Sequence, residues 1–439
     1  MKKKSEINIS ATLSWILYDL ANTIYSMNIV TMYFPTWIMI DLALSDFYVS
    51  FANSFSMILV ALTLPILGEI SDRYHKKMPF LITFTLICIS FTAFIGVAGY
   101  ALNDIAIKVS VAILFYTIAN YAYQGGLVFY NALLPNVCSK RSIGRVSGYG
   151  VAIGYFGSII GLTLVLPLVE GTLFGINLPL IEKGGSIASF IPSAALFLIF
   201  AIPAFLFIKE QPHVDPPKKF QLDIKTSFRK IWDGISNTRK YPGVTRFLVA
   251  KFFYEDAIQT VILFMAIYAQ KVMGFSKTDT TTFFIAVIPS AIVGSTIFGI
   301  VTDHLGPKKT LSLVLIGWIA SLILLICTKN ILTFWIIGAL VGIFMGSTWT
   351  SARPLLISLV PQNMLGEFFG LYSLSGKLAA IAGPIVWAIV VYVFDSYGVV
   401  FKYKAAIGAL TIMIIIGLVI LQKVPNFRQR VVNDSVLDA

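Results

Sequence analysis

Gly68-Glu-Ile-Ser-Asp72-Arg73-Tyr-His-Lys76-Lys77 closes an apolar run with a basic turn, and its frame returns as Gly299-x-x-x-Asp303 with Lys308-Lys309 behind it. From Asp72 to Asp303 the displacement is 231 residues. Two further echoes appear in the same order. Gly144, Gly148, Gly154 and Gly161 come back as Gly366, Gly370, Gly376 and Gly383, each displaced by 222. Asp19-x-x-Asn22-Thr23 comes back as Asp256-x-x-Gln259-Thr260, displaced by 237. A single match carries little; three in one order mean that a unit is used twice in the same orientation, the parallel repeat of many membrane proteins.

Between these motifs the chain is apolar. Of 439 residues, 57% are hydrophobic and 12% charged, whereas soluble proteins average about 45–50% and about 25%. At roughly 20 apolar residues per spanning helix there is room for about a dozen spans. Six apolar runs lie near Thr12–Ile40, Tyr48–Ile70, Pro79–Tyr100, Ile107–Leu134, Val146–Val169 and Ile187–Ile208. Six more lie near Phe247–Gln270, Thr281–Thr302, Leu311–Cys327, Leu332–Val360, Glu367–Phe394 and Val399–Leu421. The gap between the sets holds Pro212, Pro216 and Pro217, then Lys225, Arg229, Lys230, Arg239 and Lys240, which reads as a linker with an amphipathic surface helix. The expected organisation is a six-helix bundle over 1–208, a cytoplasmic linker over 209–242, a second bundle over 243–425 and a cytoplasmic tail over 426–439.

The net charge of +12 is placed by the spans. Lys2–Lys4, Arg73, Lys76, Lys77, Lys140, Arg141, Arg145, the linker, Lys308, Lys309, Lys423, Arg428 and Arg430 all fall on one side, which the positive-inside rule makes cytoplasmic. Both termini then face the cytoplasm, as an even number of spans requires. The basic residues serve this orientation, and nucleic acid is not expected as a partner. Cys88, Cys138 and Cys327 have no disulfide or metal spacing. His75, His213 and His304 all fall in polar connections, so no metal, haem or other cofactor is expected within the membrane. The apolar run after Met1–Lys4 is too long for a signal peptide and is expected to be retained.

The Gly68–Lys77 segment resembles the loop motif between helices two and three of the major facilitator superfamily of transporters. In that family its aspartate and arginine latch the cytoplasmic ends of the bundles, which implies a gating role for Gly68, Asp72, Arg73, Gly299 and Asp303. His75 stands where the pattern has glycine, and His304 replaces the arginine of the second copy, so the first copy is expected to carry most of the gating. Finer segments resemble the vacuole effluxers related to autophagy and their bacterial relatives. These segments are Trp15-Ile-Leu-Tyr18-Asp19-Leu-Ala-Asn22, Tyr130-Asn131-Ala-Leu-Leu-Pro135, Gly144-Arg145-Val-Ser-Gly148, Tyr254-Glu-Asp256-Ala-Ile-Gln-Thr260 and Gly366-Glu-Phe-Phe-Gly370-Leu-Tyr372. The resemblance implies an all-α integral membrane protein of twelve helices in two parallel six-helix bundles. Fungal members export amino acids from the vacuole, so it also implies efflux of small molecules.

Charges at membrane depth are few, and each needs a partner or a cavity. Asp19 lies in the first helix with Asn22 on the same face, and Asp256 in the seventh with Gln259 and Thr260 one turn on. Lys251 and Glu255 are spaced for an ion pair. The two aspartates either meet a proton or cationic group, or fix helix packing. In the fourth helix Tyr116, Asn120, Tyr123, Gln124 and Asn131 form a polar stripe, which asks for water or a solute opposite. In the tenth, Trp349 and Arg353 are one turn apart beside Pro354, and Arg353 either binds a carboxylate, pairs with an aspartate or snorkels. Lys377 reads as structural, and the glycines at 150, 154, 157 and 161 as helix-packing positions.

The expected function is alternating-access secondary transport of a small polar or zwitterionic solute, amino-acid-like, by a monomer in a bacterial plasma membrane, with coupling to protons, to sodium or to no ion left open. Proton-coupled export of lipophilic cations is the rival within transport, and a non-transporting receptor the rival outside it. No intramembrane histidine, cysteine pair or Ser-His-Asp set is available, so an enzyme is not expected.

Overall fold

The computed structural model describes residues 9–45, 47–74, 76–173, 176–177, 182–210 and 241–425. The linker helix expected within 209–242 and the tail over 426–439 fall on residues 211–240 and 426–439, outside the described residues, as does His75.

Among the described residues twelve long helical stretches follow one another. The first, α1 (9–41), starts as an α-helix over Ile9–Tyr25 and becomes π-helical over Ser26–Tyr33 and Trp37–Asp41. Then come α2 (Phe47–Arg73), α3 (Met78–Ala101), α4 (Ile105–Ala132), α5 (Ile143–Glu170) and α6 (Phe190–Phe207). The second set is α7 (Pro242–Val272), α8 (Lys277–Leu305), α9 (Pro307–Cys327), α10 (Ile331–Leu359), α11 (Leu365–Val393) and α12 (Val399–Gln422). A two-stranded antiparallel hairpin, β1 (Thr172–Leu173) with β2 (Ile176–Asn177), sits between α5 and α6, Thr172 opposite Asn177.

Helix ends follow local chemistry. The Asp104 carboxylate accepts from the Ile107 N–H at the start of α4, and Asn330 accepts from Leu332 and Thr333 at the start of α10. Ser276 and Asp279 form a reciprocal capping box on α8, and those hydrogen bonds hold the Asp279 carboxyl below the usual carboxylate range. Among the described residues, nine helices are long and apolar enough to cross a membrane. The other three are α1, which changes helix type midway; α7, which carries Lys251, Glu255 and Asp256; and α11, whose apolar part is Ala382–Val393.

The chain forms two compact units, one of Met1–Cys138, Tyr149–Ile231 and Asn363–Lys377, the other of Ser139–Gly148, Trp232–Gln362 and Leu378–Ala439. In the first, α1 packs on α6, α2 on α4, and α3 on both α4 and α6. In the second, α7 packs on α12, α8 on α10, and α9 on both α10 and α12. Adding six to each number of the first set gives the second, so the repeat read in the sequence is a repeat of packing. Rings fill the first unit along α1 and α4: Trp15 stacks on Tyr130 at 4.3 Å, Tyr25 meets Tyr123 at 4.9 Å, and Phe34 stacks on Tyr116 at 3.9 Å. The Trp15 indole N–H donates to the Tyr130 carbonyl at 2.9 Å.

Candidate functional site

Within the first unit Asp72, at the end of α2, reaches the start of α11, where its Oδ2 accepts the Glu367 N–H at 2.8 Å. The Lys77 ammonium pairs with Oδ1 of the same carboxylate at 2.9 Å. Asp72 is 5% exposed. An anion at the first free N–H groups of a helix meets both its donors and the positive end of its dipole. Close approach is possible because Gly68 has no side chain. A Cβ there would lie 2.2 Å from the Gly366 carbonyl oxygen, a backbone atom that cannot step aside. Arg73 turns the other way, its guanidinium paired with Glu69 one turn back at 2.6 Å.

Within the second unit Asp303, at the end of α8, does the same for α5. Its Oδ1 accepts the Gly144 N–H at 2.8 Å, and its Oδ2 accepts the Arg145 N–H and Nε at 3.2 Å each. Gly299 lies against Gly144 and Gly148: a Cβ on it would come within 3.0 Å of the Gly144 oxygen. Gly306, displaced by 231 from His75, turns the chain at φ +87°, a backbone that favours glycine. The replacement of arginine by His304 therefore leaves the second copy with an engaged aspartate, its cation supplied by Arg145.

Deeper in the helices the two repeat-related aspartates sit differently. Asp19 is buried against α5, where a Cβ on Gly150 would lie 3.1 Å from its Oδ2. The glycine row continues along α1: Gly157 meets the Leu20 backbone and Gly161 meets Ile24 and Asn28, whose amide donates to the Gly161 carbonyl and to Ser193 at 3.0 Å each. Asp256 is 0% exposed, and its Oδ1 accepts the Gly383 N–H of α11 at 2.8 Å. Lys251 and Glu255 form the expected ion pair, one turn from each other. Asn22 is buried beside Asp19 along the helix, whereas Gln259 is exposed.

The stripe on α4 divides in two. Tyr116 and Asn120 face α2: the Tyr116 hydroxyl donates to Asn53 Oδ1 at 3.0 Å, and the Asn120 amide donates to Asn53 Oδ1 at 3.0 Å and Ser56 Oγ at 2.8 Å. Asn120 thus meets α2, which brings its own polar residues to that face, through its amide N–H groups. Tyr123 stays half-buried against Tyr25, and Gln124 is buried. In α10 Trp349 and Arg353 are half-buried. The side chain of Lys377 lies outside the described residues.

Three participants escaped sequence reading. Asn53 and Ser56 are spaced three apart in an apolar helix, a signal available in the sequence. Glu210, just past α6, accepts from the backbone N–H groups of Lys77 and Met78 at the start of α3, tying the chain after the sixth helix to the gating turn. Burial pushes its carboxyl up, and those two N–H groups with Lys77 and Lys76 oppose the shift.

The family model described as vacuole effluxer Atg22 like matches residues 45–432. An uncharacterized MFS-type transporter of Bacillus subtilis (strain 168), YxiO, is 28% identical over 433 residues, covering 94% of each chain. Autophagy-related protein 22 of Coccidioides immitis (strain RS) is 23% identical over 300 residues, 62% of this chain and 47% of that one. The fold matches the Escherichia coli fucose:proton symporter FucP at a TM-score of 0.72 with 14% identity, covering 95% of this chain and 99% of that one. A bacterial homologue of the iron transporter ferroportin matches at 0.71 with 12% identity and the same coverage. At such identities the likeness carries the fold alone, and that fold is the one the motif resemblance implies.

Proposed function

The chain belongs to the family of vacuole effluxers like Atg22, and from that premise we propose that it exports a small polar or zwitterionic solute of amino-acid type by alternating access. It is a multi-pass membrane transporter of the major facilitator fold and not an enzyme. The two bodies that rock are 1–208 and 243–425, joined by the linker over 209–242, in a monomer whose termini face the cytoplasm of a bacterial cell. The observation that carries this reading is the doubled aspartate clamp. Asp72 of the first half holds the first turn of α11, and Asp303 of the second half holds the first turn of α5. Each is a non-covalent bond between sequence halves, and a gate needs bonds that can break and reform without covalent change.

Gly68, Asp72, Arg73, Gly299 and Asp303 are the gating residues of this proposal. Asp19, Asn22, Asn120, Tyr123, Gln124, Glu255, Asp256, Gln259, Trp349 and Arg353 are its candidates for cargo and coupling, the aspartates meeting a cationic group or a proton and Arg353 an anionic one. Proteoliposomes loaded with labelled amino acids test it, with and without a pH gradient. Export of at least one amino acid is expected. Movement of lipophilic cations alone would move the reading to its rival, and movement of neither would refute transport of both classes.

A further inference from the structure

Asp256 and Thr260 lie one turn apart in α7, 0% and 1% exposed. Among the described residues Asp256 Oδ2 and Thr260 Oγ1 have no hydrogen-bond partner. The threonine is unusual in this chain. Thr85, Thr92, Thr302 and Thr411 each return their hydroxyl to the carbonyl four residues back. So does Thr23, the repeat counterpart of Thr260, which donates to the Asp19 carbonyl at 2.9 Å. Thr260 instead turns its oxygen to α11: the point where a Cβ on Gly383 would stand is 2.1 Å from Thr260 Oγ1 and 2.7 Å from Asp256 Oδ1.

Two oxygens thus converge on Gly383, and the next residue interrupts the hydrogen bonding of α11. Pro384 has no N–H, so the carbonyl one turn before it loses its helical donor. The first half lacks this device, for Leu162 stands where the repeat would put Pro384. The charge is equally specific. Lys251 is paired with Glu255, and no basic side chain pairs with Asp256 among the described residues, so one buried negative charge remains. No trio of His, Cys, Asp or Glu stands ready for a divalent ion among the described residues.

We propose that Asp256, Thr260 and the Gly383–Pro384 break of α11 form a binding site for a monovalent metal cation, sodium, held by hard oxygen donors. A proton would need the carboxylate alone; the turned hydroxyl is what a coordinated ion uses in addition. The site deepens the transport reading, which makes sodium the coupling ion, but binding is measured without transport, so loss of one leaves the other standing.

The test is thermal unfolding of the purified full-length chain in detergent at fixed pH, titrated with sodium, potassium or choline chloride at constant ionic strength. Sodium should raise Tm saturably above choline, since a ligand of the folded state stabilises it, and potassium should not. Asp256→Asn and Thr260→Val should lose the sodium shift, whereas Thr260→Ser and Thr23→Val should keep it. If Asp256→Asn does not fold, the Thr260→Val and Thr260→Ser pair decides. Superimposed sodium and choline curves for the unaltered chain, a Tm that answers pH but not sodium, or a sodium shift surviving in Thr260→Val or Asp256→Asn would each overturn the site.

Discussion

Asp72 and Asp303 are carboxylates placed on the first turn of a helix, so each is bound by groups that no intrahelical carbonyl claims. A charge-assisted hydrogen bond contributes about 1.5–3 kcal/mol, and about 1.4 kcal/mol is a factor of ten. Asp72→Asn keeps the shape and loses the charge, and is expected to slow export roughly tenfold while expression and cargo binding persist. Asp303→Asn is expected to match it, since both carboxylates hold a helix start. Transport at the original rate in both variants would remove the clamps from the mechanism. Glu210 gives a pH signature outside the membrane. Its carboxyl is raised from 4.5 by burial, so the folded chain holds that proton more tightly than the unfolded chain. The stability it contributes is full below 4.5 and is lost as pH rises through the raised value. Thermal unfolding across that window should show a falling Tm that Glu210→Gln flattens.

Helices in this protein meet at glycines, and the contact atom decides what a methyl group there does. A Cβ on Gly157 would come within 2.5 Å of the Leu20 carbonyl oxygen of α1, and neither backbone yields easily. Gly157→Ala should therefore destabilise by about 1–3 kcal/mol, the range for overpacking. On α12 a Cβ on Gly408 meets nothing nearer than Ile326 Cδ1 at 3.9 Å, so Gly408→Ala should be neutral or slightly stabilising. Equal Tm losses in the two variants would show that helix propensity and not packing sets the outcome. The existence of the long helices was legible beforehand, because an apolar run of spanning length must satisfy its backbone within itself, whereas the β1–β2 hairpin was not. Nor was the change to π-helix in α1. Within that stretch Asn28 meets Gly161 and Ser193, residues more than a hundred positions away.

Across the whole molecule, the two aspartates that the repeat makes equivalent are set in unlike surroundings. Asp19 lies on a row of glycines with Thr23 bonded back into its own helix, whereas Asp256 accepts from Gly383 with Thr260 turned toward α11. If Asp256 carries the coupling ion, Asp256→Asn should abolish gradient-driven accumulation in proteoliposomes yet spare exchange of cargo present on both sides. Exchange needs cycling but no release of the ion. Asp19→Asn should then retain accumulation, and loss of accumulation in Asp19→Asn alone would reverse the assignment.

The apolar runs and the displaced motifs carried the plan of a repeated helical membrane protein without any coordinates, and the resemblance of the quoted motifs carried its family. Water-to-lipid transfer acts on composition over about 20 residues at a time, and a gene repeat leaves its period in the chain. Partner choice is a different matter. That Asp72 grips Glu367, that Asp303 grips Gly144 and Arg145, and that Asn120 faces Asn53 depend on which helix faces come together. The sequence marks all of these residues as polar in an apolar setting and says nothing of which oxygen meets which N–H. Hydrogen bonds act over about 3 Å, and only the packed helices bring residues 67 to 295 positions apart within that distance.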